Sequence, residues 1–208
     1  MDWEFSFLYF LQNLHHPLLD KLMVVITTLG DEGIIWIIIA LAMLCTKRYR
    51  VCGIGVAISL ILMLLTGNIF LKHLFMRERP CWIDTSVELL IASPSSYSFP
   101  SGHTFSSFVS AITIFLHHKK EGTVALVLAA LISFSRMYLF VHFPTDVLAS
   151  IILGTGIAVI VYILMKRKIL TKNKPKTTIY GGNKRPIGIS SQKLTSVFGT
   201  FAQKTFSK

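Results

Sequence analysis

The chain has 208 residues, of which 52% are hydrophobic and 15% are charged. Soluble domains carry about a quarter charged residues, so this composition argues against a soluble protein and indicates an integral membrane protein. The formal net charge is +11, and the eleven Lys and Arg residues from position 166 onward account for all of that excess. The three cysteines lack metal-ligand spacing and are odd in number, so they predict neither a zinc site nor a disulfide framework.

The first segment, residues 3–14, is apolar and rich in aromatic side chains but is too short to span a bilayer. It predicts an interfacial helix, within an N-terminal domain at 1–16, that places Trp3 and Tyr9 at headgroup depth. The chain starts with acidic rather than basic residues, so we expect no cleaved signal peptide.

Six apolar segments predict an all-α integral membrane six-helix bundle in a transmembrane domain at 17–166. They run over 18–29, 33–46, 51–71, 103–118, 122–141 and 145–165. The first two are short for a hydrocarbon core of about 30 Å, which needs about 20 residues, so flanking residues are expected to extend them.

Clusters of basic residues predict the orientation of the bundle. They follow the second, fourth and sixth segments, at 47–50, 117–120 and 166–168, and the positive-inside rule places all three in the cytoplasm. The long connection at 72–102 then lies outside the cell. The basic tail at 167–208 is expected in the cytoplasm, where attraction to anionic lipids and disorder without a specific role are alternative interpretations.

The sequence Phe99-Pro100-Ser101-Gly102-His103 leads from this polar connection into the fourth apolar segment. Pro100 suits a first helical turn, and Ser101 could bond the free amides there. Gly102 allows close approach of a ligand to the backbone, and a helix N-terminus favours a phosphate oxyanion. His103 adds a side chain that exchanges a proton near neutral pH. An ordinary helix start is the alternative.

Two further groups of polar residues fall at the same predicted face. Lys72 and Arg79 are seven residues apart, so a continuous helix would project both from one side, near Arg77, as a site for a multiply charged phosphate. Snorkelling cations at a helix end are the alternative.

Arg136 lies within an apolar segment, where an unpaired charge is costly and a partner is expected. Asp146 follows His142 by four residues, across a turn that Pro144 closes, and could accept one ring N–H and leave the other nitrogen free. The alternative is a buried ion pair of Arg136 with Asp146, with His142 only filling space.

The three motifs together resemble the signature of the type-2 phosphatidic acid phosphatase superfamily, which includes membrane lipid phosphatases and is related to vanadium-dependent haloperoxidases. The matching residues are Lys72-x6-Arg79-Pro80, Pro100-Ser101-Gly102-His103 and Ser135-Arg136-x5-His142-x3-Asp146. The resemblance covers about residues 17–166.

The resemblance implies hydrolysis of a phosphomonoester or pyrophosphate through a phosphohistidine, without a metal or other cofactor. It implies that His142 is the nucleophile, that Asp146 orients it and that His103 is the general acid. Phosphate binding is implied for Lys72, Arg79, Ser101, Gly102 and Arg136.

The expected partners are the bilayer and a lipid phosphate, with no nucleic acid; the sequence leaves the oligomeric state open. We favour undecaprenyl pyrophosphate, presented at the outer face of the cell membrane, as substrate. Phosphatidylglycerophosphate and phosphatidic acid are alternatives, as is a lipid phosphotransferase that uses the same histidines.

Overall fold

A computed structural model describes residues 2–172 of the chain, with side chains for residues 2–167. The regular secondary structure of the described part is all helical, with no strand. Its α-helices are α1 (Asp2–Gln12), α2 (Pro17–Leu29), α3 (Ile34–Cys45), α4 (Arg50–Met63), α5 (Lys72–Phe75), α6 (Pro80–Ile83), α7 (Gly102–His117), α8 (Lys119–Tyr138) and α9 (Pro144–Lys172). A 3-10 turn (Asp31–Gly33) precedes α3, and a π-helical segment (Leu64–Leu71) connects α4 to α5. The predicted tail lies almost wholly outside the described residues.

Fewer of the described helices than the six predicted are by themselves long and apolar enough to cross a membrane. Among the described residues, three helical stretches are long and apolar enough to cross a bilayer: Arg50–Ile83, Lys119–Tyr138 and Pro144–Arg167. The helices α2 and α3 meet this condition only together, as a pair bent by 44°. The helix α7 has 16 residues and is therefore about 24 Å long, less than the hydrocarbon core. The all-helical membrane fold is confirmed, whereas the count of six spans is not.

The centre of the fold is α7, which packs against α4, α8 and α9. Small residues allow the closest crossings. A Cβ on Gly122 would lie 2.1 Å from the Cα of Phe115, so α7 and α8 approach here with nothing between their backbones. At Gly154 of α9, a Cβ would lie 3.1 Å from the amide nitrogen of Val109. Glycine thus sets the distance between the helices that carry the polar residues at one end of the bundle.

The N-terminal helix α1 packs on the fold rather than lying free of it. Leu8 and Leu11 are buried, and the Tyr9 hydroxyl donates a 2.7 Å hydrogen bond to Asp84 in the long connection. Hydrogen bonds from the Ser86 hydroxyl, the Tyr9 hydroxyl and the Ser86 amide hold the pKa of the Asp84 carboxyl below its ordinary value. The predicted helix is therefore present, with one face in the protein core.

The connection after α4 does not form the continuous helix expected between Lys72 and Arg79. The helix α5 ends at Phe75, and Met76 adopts a left-handed conformation with φ of 42°. Arg79 is extended, as expected before a proline. The prediction of one shared helical face was wrong, because the helix that carries Lys72 ends before Arg79.

Candidate active site

The helix α7 begins at Gly102, with Ser101 as the residue before its first turn. Pro100 precedes this helix, so it does not form part of the first turn. The peptide bond between Phe99 and Pro100 is cis. The Ser101 hydroxyl accepts a 3.1 Å hydrogen bond from Thr104 and makes no capping bond to the helix amides. The amides at the start of α7 therefore keep free hydrogen-bonding capacity.

The turn between α8 and α9 carries the second histidine. Phe140 has a φ of 59°, which reverses the chain after Tyr138. Pro144 begins α9 with its fixed φ, as predicted, and places Asp146 in the first turn. The amide of Phe143 donates a 2.9 Å hydrogen bond to Asp146 Oδ2, so the carboxylate closes the turn next to His142.

A cavity of about 530 Å³ lies where these elements meet. Six of the eight predicted site residues line it: Lys72, Arg79, Gly102, His103, Arg136 and His142. Ser101 and Asp146 are fully buried and lie outside this lining. The two imidazoles thus share one cavity, although their motifs are far apart in the sequence.

The three cations of the cavity have no acidic partner. Within residues 2–167, neither Lys72 nor Arg79 nor Arg136 forms an ion pair with a carboxylate. Arg136 is 3% exposed and donates from Nη1 to the hydroxyl of Thr27 at 2.6 Å, while its buried Nε has no partner in the described structure. Burying unpaired charges is costly, so these cations leave an excess of positive charge that suits an anion.

Ser96 fixes two of these cations. Its hydroxyl oxygen accepts a 2.9 Å hydrogen bond from Lys72 Nζ and a 3.2 Å bond from Arg79 Nη2. Its carbonyl oxygen accepts a 2.6 Å bond from Arg79 Nε. The loop therefore brings Lys72 and Arg79 together, which the predicted helix does not do.

The contacts of His142 identify the nitrogen that is free of a proton. Arg79 Nη1 lies 3.0 Å from His142 Nε2. A guanidinium group has only donors, so in this bond Nε2 is the acceptor and Nδ1 carries the proton. Burial, followed by the charges of Arg79, Arg136, Lys72 and His103, holds the pKa of His142 well below its ordinary value.

Ser98 lies between His142 and Asp146. Asp146 Oδ2 is 3.6 Å from His142 Nδ1, too far for a good hydrogen bond. The Ser98 hydroxyl donates to Oδ2 at 2.5 Å and lies 3.4 Å from Nδ1. The predicted ring N–H···carboxylate contact is therefore replaced in this structure by a bridge through a serine hydroxyl.

The alternative ion pair of Arg136 with Asp146 does not form. The partner of Asp146 is Arg77, whose Nη1 donates to Oδ1 at 2.6 Å. Arg136 instead faces the cavity and Thr27.

His103 contacts an acidic residue at the mouth of the cavity. Its Nε2 lies 2.9 Å from Asp31 Oδ1, and the Asp31 side chain is 54% exposed. A Cβ on Gly30 would lie 2.7 Å from His103 Cδ2, so only glycine leaves room for the ring in this position.

Arg77, expected beside the phosphate-binding cations, does not line the cavity and instead pairs with Glu4 and Asp146. Four residues that contact the predicted site were not predicted as part of it: Thr27, Asp31, Ser96 and Ser98. All except Thr27, near the end of α2, come from connections between helices, where no periodicity indicates which side chain points inward. The serine-rich stretch at 93–98 was the available signal.

Comparisons with known proteins show the family to which the chain is related. The family model of the PAP2 superfamily matches residues 52–170. An undecaprenyl-diphosphatase from Sulfolobus acidocaldarius is 34% identical over 141 residues, which are 67% of this chain and 68% of that protein. The undecaprenyl-diphosphatase BcrC of Bacillus subtilis is 28% identical over 67% of this chain and 72% of its own length. The crystal structure of a transmembrane PAP2-type phosphatidylglycerolphosphate phosphatase from Bacillus subtilis superposes with a TM-score of 0.63 and 26% identity, covering 84% of this chain and 88% of that one.

Proposed function

This chain belongs to the PAP2 superfamily, and we propose that it is a membrane phosphatase that hydrolyses a lipid-linked diphosphate or phosphomonoester. The favoured substrate is undecaprenyl pyrophosphate, the substrate class given in the names of two relatives. Phosphatidylglycerophosphate and phosphatidic acid are the alternatives.

One observation carries this proposal: three cations that have no carboxylate partner among the described side chains line a cavity that two histidines also line. A phosphoryl group supplies the missing negative charge. Phosphoryl transfer depends mainly on positioning and on stabilisation of charge at the equatorial oxygens. Lys72, Arg79 and Arg136 provide that charge, and the amides at Gly102 add donors.

In the proposed mechanism, His142 Nε2 attacks phosphorus and the bond from phosphorus to the leaving oxygen breaks. Burial and the charges of Arg136, Arg79 and Lys72 lower the pKa of His103 to about 3, so His103 takes up its proton when the bound phosphate offsets these cations, and it donates that proton to the leaving oxygen. Water then attacks the phosphohistidine, His103 takes up the proton of the water, and inorganic phosphate and neutral His142 are released. Ser98 and Asp146 hold Nδ1–H, so that Nε2 is the nitrogen that reacts. Before attack, Arg79 must move its hydrogen bond from Nε2 to a phosphate oxygen.

An apolar groove supports a lipid substrate. It has a volume of about 280 Å³ and lies between α3 and α4, lined by Ile37, Leu41, Leu60 and Ile61 among others. Glu32, Gly33, Met63 and Leu64 line both the groove and the phosphate cavity. A hydrocarbon chain in the groove would therefore have its phosphate end at the cations.

The outward location of the site is part of the proposal. The basic clusters at 47–50 and 117–120 lie at the opposite ends of their helices from the cavity residues, and the positive-inside rule assigns such clusters to the cytoplasm.

The test is release of inorganic phosphate by the purified protein in detergent, from a panel of undecaprenyl pyrophosphate, phosphatidylglycerophosphate and phosphatidic acid. We expect the highest kcat/KM with the pyrophosphate and no turnover by His142→Ala. Hydrolysis by a folded His142→Ala variant contradicts the mechanism. When a lipid alcohol is added, formation of its phosphomonoester in place of inorganic phosphate identifies a phosphotransferase instead.

A further inference from the structure

The N-terminal helix contributes a buried carboxylate to the polar network behind His142. Glu4 is 4% exposed on a helix whose buried neighbours are leucines. Its Oε2 accepts a 2.7 Å bond from Arg77 Nη2, and its Oε1 accepts a 2.6 Å bond from the Thr145 hydroxyl. Burial of a charged carboxylate is costly unless it is paired in this way, so the position of Glu4 needs an explanation beyond helix packing.

Arg77 connects Glu4 to Asp146. Its Nη1 donates to Asp146 Oδ1 at 2.6 Å and to the Thr145 hydroxyl at 2.6 Å. The guanidinium also lies 4.1 Å from the centre of the Phe143 ring. The two terminal nitrogens of the planar guanidinium therefore donate to different carboxylates, Nη1 to Asp146 and Nη2 to Glu4. A lysine has one nitrogen and cannot reproduce this arrangement.

We propose that Arg77 and Glu4 are positioning residues for the phosphatase reaction, which hold Asp146, and through it His142, in the reactive orientation. Arg77 fixes the rotation of the carboxylate so that Oδ2 faces Ser98 and Nδ1. The backbone of Arg77 contributes as well, because its carbonyl oxygen accepts a 2.8 Å bond from the Ser98 amide. Glu4 accepts the hydrogen bond from Nη2 of Arg77 and balances the positive charge of the guanidinium.

The charge balance makes the proposal testable. His142 faces Asp146 and Ser98 on one side, and Arg79, Arg136, Lys72 and His103 on the other. Replacing Arg77 removes a positive charge behind Asp146, so His142 is protonated more easily. Replacing Glu4 removes a negative charge, so His142 is protonated less easily. The two replacements should move the acid limb of the pH–activity profile in opposite directions.

The experiment compares Arg77→Gln, Glu4→Gln and the double variant with the parent enzyme, using the full chain in detergent. This inference rests on the proposed function, so His142→Ala is measured alongside. We expect kcat to fall by at least about tenfold in Arg77→Gln and a few-fold in Glu4→Gln, because small displacements of reacting groups are costly. The KM should stay within about twofold, since neither residue lines the cavity. The acid limb should move to higher pH in Arg77→Gln and to lower pH in Glu4→Gln.

Glu78→Gln is the matched control, because Glu78 is an exposed carboxylate next to Arg77 in sequence, and it should retain the parent profile. Unchanged kcat and pH limits in both test variants would overturn the inference, as would limbs that move in the same direction. A folded, active His142→Ala variant would instead overturn the proposed mechanism. Inactive His142→Ala with fully active Arg77→Gln and Glu4→Gln would remove this inference alone.

Discussion

At His142, the two ring nitrogens have different neighbours: Arg79 at Nε2, and Ser98 with Asp146 at Nδ1. A guanidinium cannot accept a hydrogen bond, so Nε2 is the acceptor and Nδ1 carries the proton. This assignment does not depend on the substrate. If His142 is the nucleophile, as proposed, it is already in the reactive tautomer before phosphate binds.

The low pKa of His142 leads to a prediction for the pH dependence. The nucleophile must be neutral, and burial with four nearby basic groups holds its pKa below the ordinary value. The acid limb of kcat/KM for the free enzyme should therefore lie below the ordinary histidine pKa of about 6.5. A pH–rate series with a soluble phosphate ester measures it, and a limb at or above that value would contradict the assignment.

The role of His103 predicts a dependence on the leaving group. His103→Ala should slow hydrolysis of the lipid substrate by about 10² to 10⁴-fold, the usual contribution of a general acid. With p-nitrophenyl phosphate the loss should be smaller, because p-nitrophenolate leaves without a proton. Equal losses with both substrates would exclude the acid role.

The three cations predict that chelation does not affect the reaction. Lys72, Arg79 and Arg136 line the cavity and supply the charge that a metal ion provides in other phosphoryl-transfer enzymes. EDTA should leave kcat unchanged, and added Mg²⁺ should give no increase. Loss of activity in EDTA that Mg²⁺ restores would contradict this prediction.

The sequence identified polar residues that the structure brings to one cavity, but not the hydrogen bonds that support them. His103, His142 and the three cations stand out because each is a polar residue within or near an apolar segment. Ser98 and Asp31 come from loops, and their inward positions depend on the backbone at residues such as Glu32, with φ of 49°. No local pattern encodes those angles.

Among the elements, α7 and α8 hold the two histidine motifs at a fixed separation. The helix α7 begins beside His103, and α8 ends at Tyr138, just before the turn that carries His142. At Gly122 the two helices approach so closely that a Cβ would lie 2.1 Å from the Cα of Phe115. The contact partner of such a small residue follows only from the three-dimensional arrangement.

This crossing predicts a difference between two glycine variants. Gly122→Ala places a Cβ 2.1 Å from the Phe115 backbone, so the helices must separate, at a cost of about 1–3 kcal/mol or more. Gly156→Ala meets nothing within 4 Å and should be neutral or stabilising by up to about 1 kcal/mol, because alanine favours helix. Thermal unfolding in detergent compares the two, and equal midpoints would contradict the packing argument.

At the scale of the whole molecule, helical periodicity and apolar length predicted the fold class but not the number of crossings. The segments at 18–29 and 33–46 were counted as two spans, and the structure joins them as a bent pair through a short turn at Asp31–Gly33. Apolar length alone does not distinguish two short spans from one broken span.

The proposed orientation predicts where the long connection is accessible. In a cysteine-free background, Glu88→Cys should react with a membrane-impermeant maleimide on intact cells, because this exposed residue lies in the connection that carries the site. Lys120→Cys, exposed at the opposite end of the bundle, should react only after the cells are opened. The reverse pattern would place the site in the cytoplasm and leave its chemistry unchanged.

The bond between Arg79 and Nε2 of His142 has a consequence for the resting enzyme. A lone pair that already receives a hydrogen bond from a cation is shielded from stray electrophiles, including reactive metabolites at the membrane surface. In the proposed mechanism, a phosphate oxygen takes over the hydrogen bond of Arg79 and leaves this lone pair free to react. Arg79 thus both shields Nε2 of His142 and binds the phosphate, so the proposed mechanism couples reactivity of His142 to binding of the substrate.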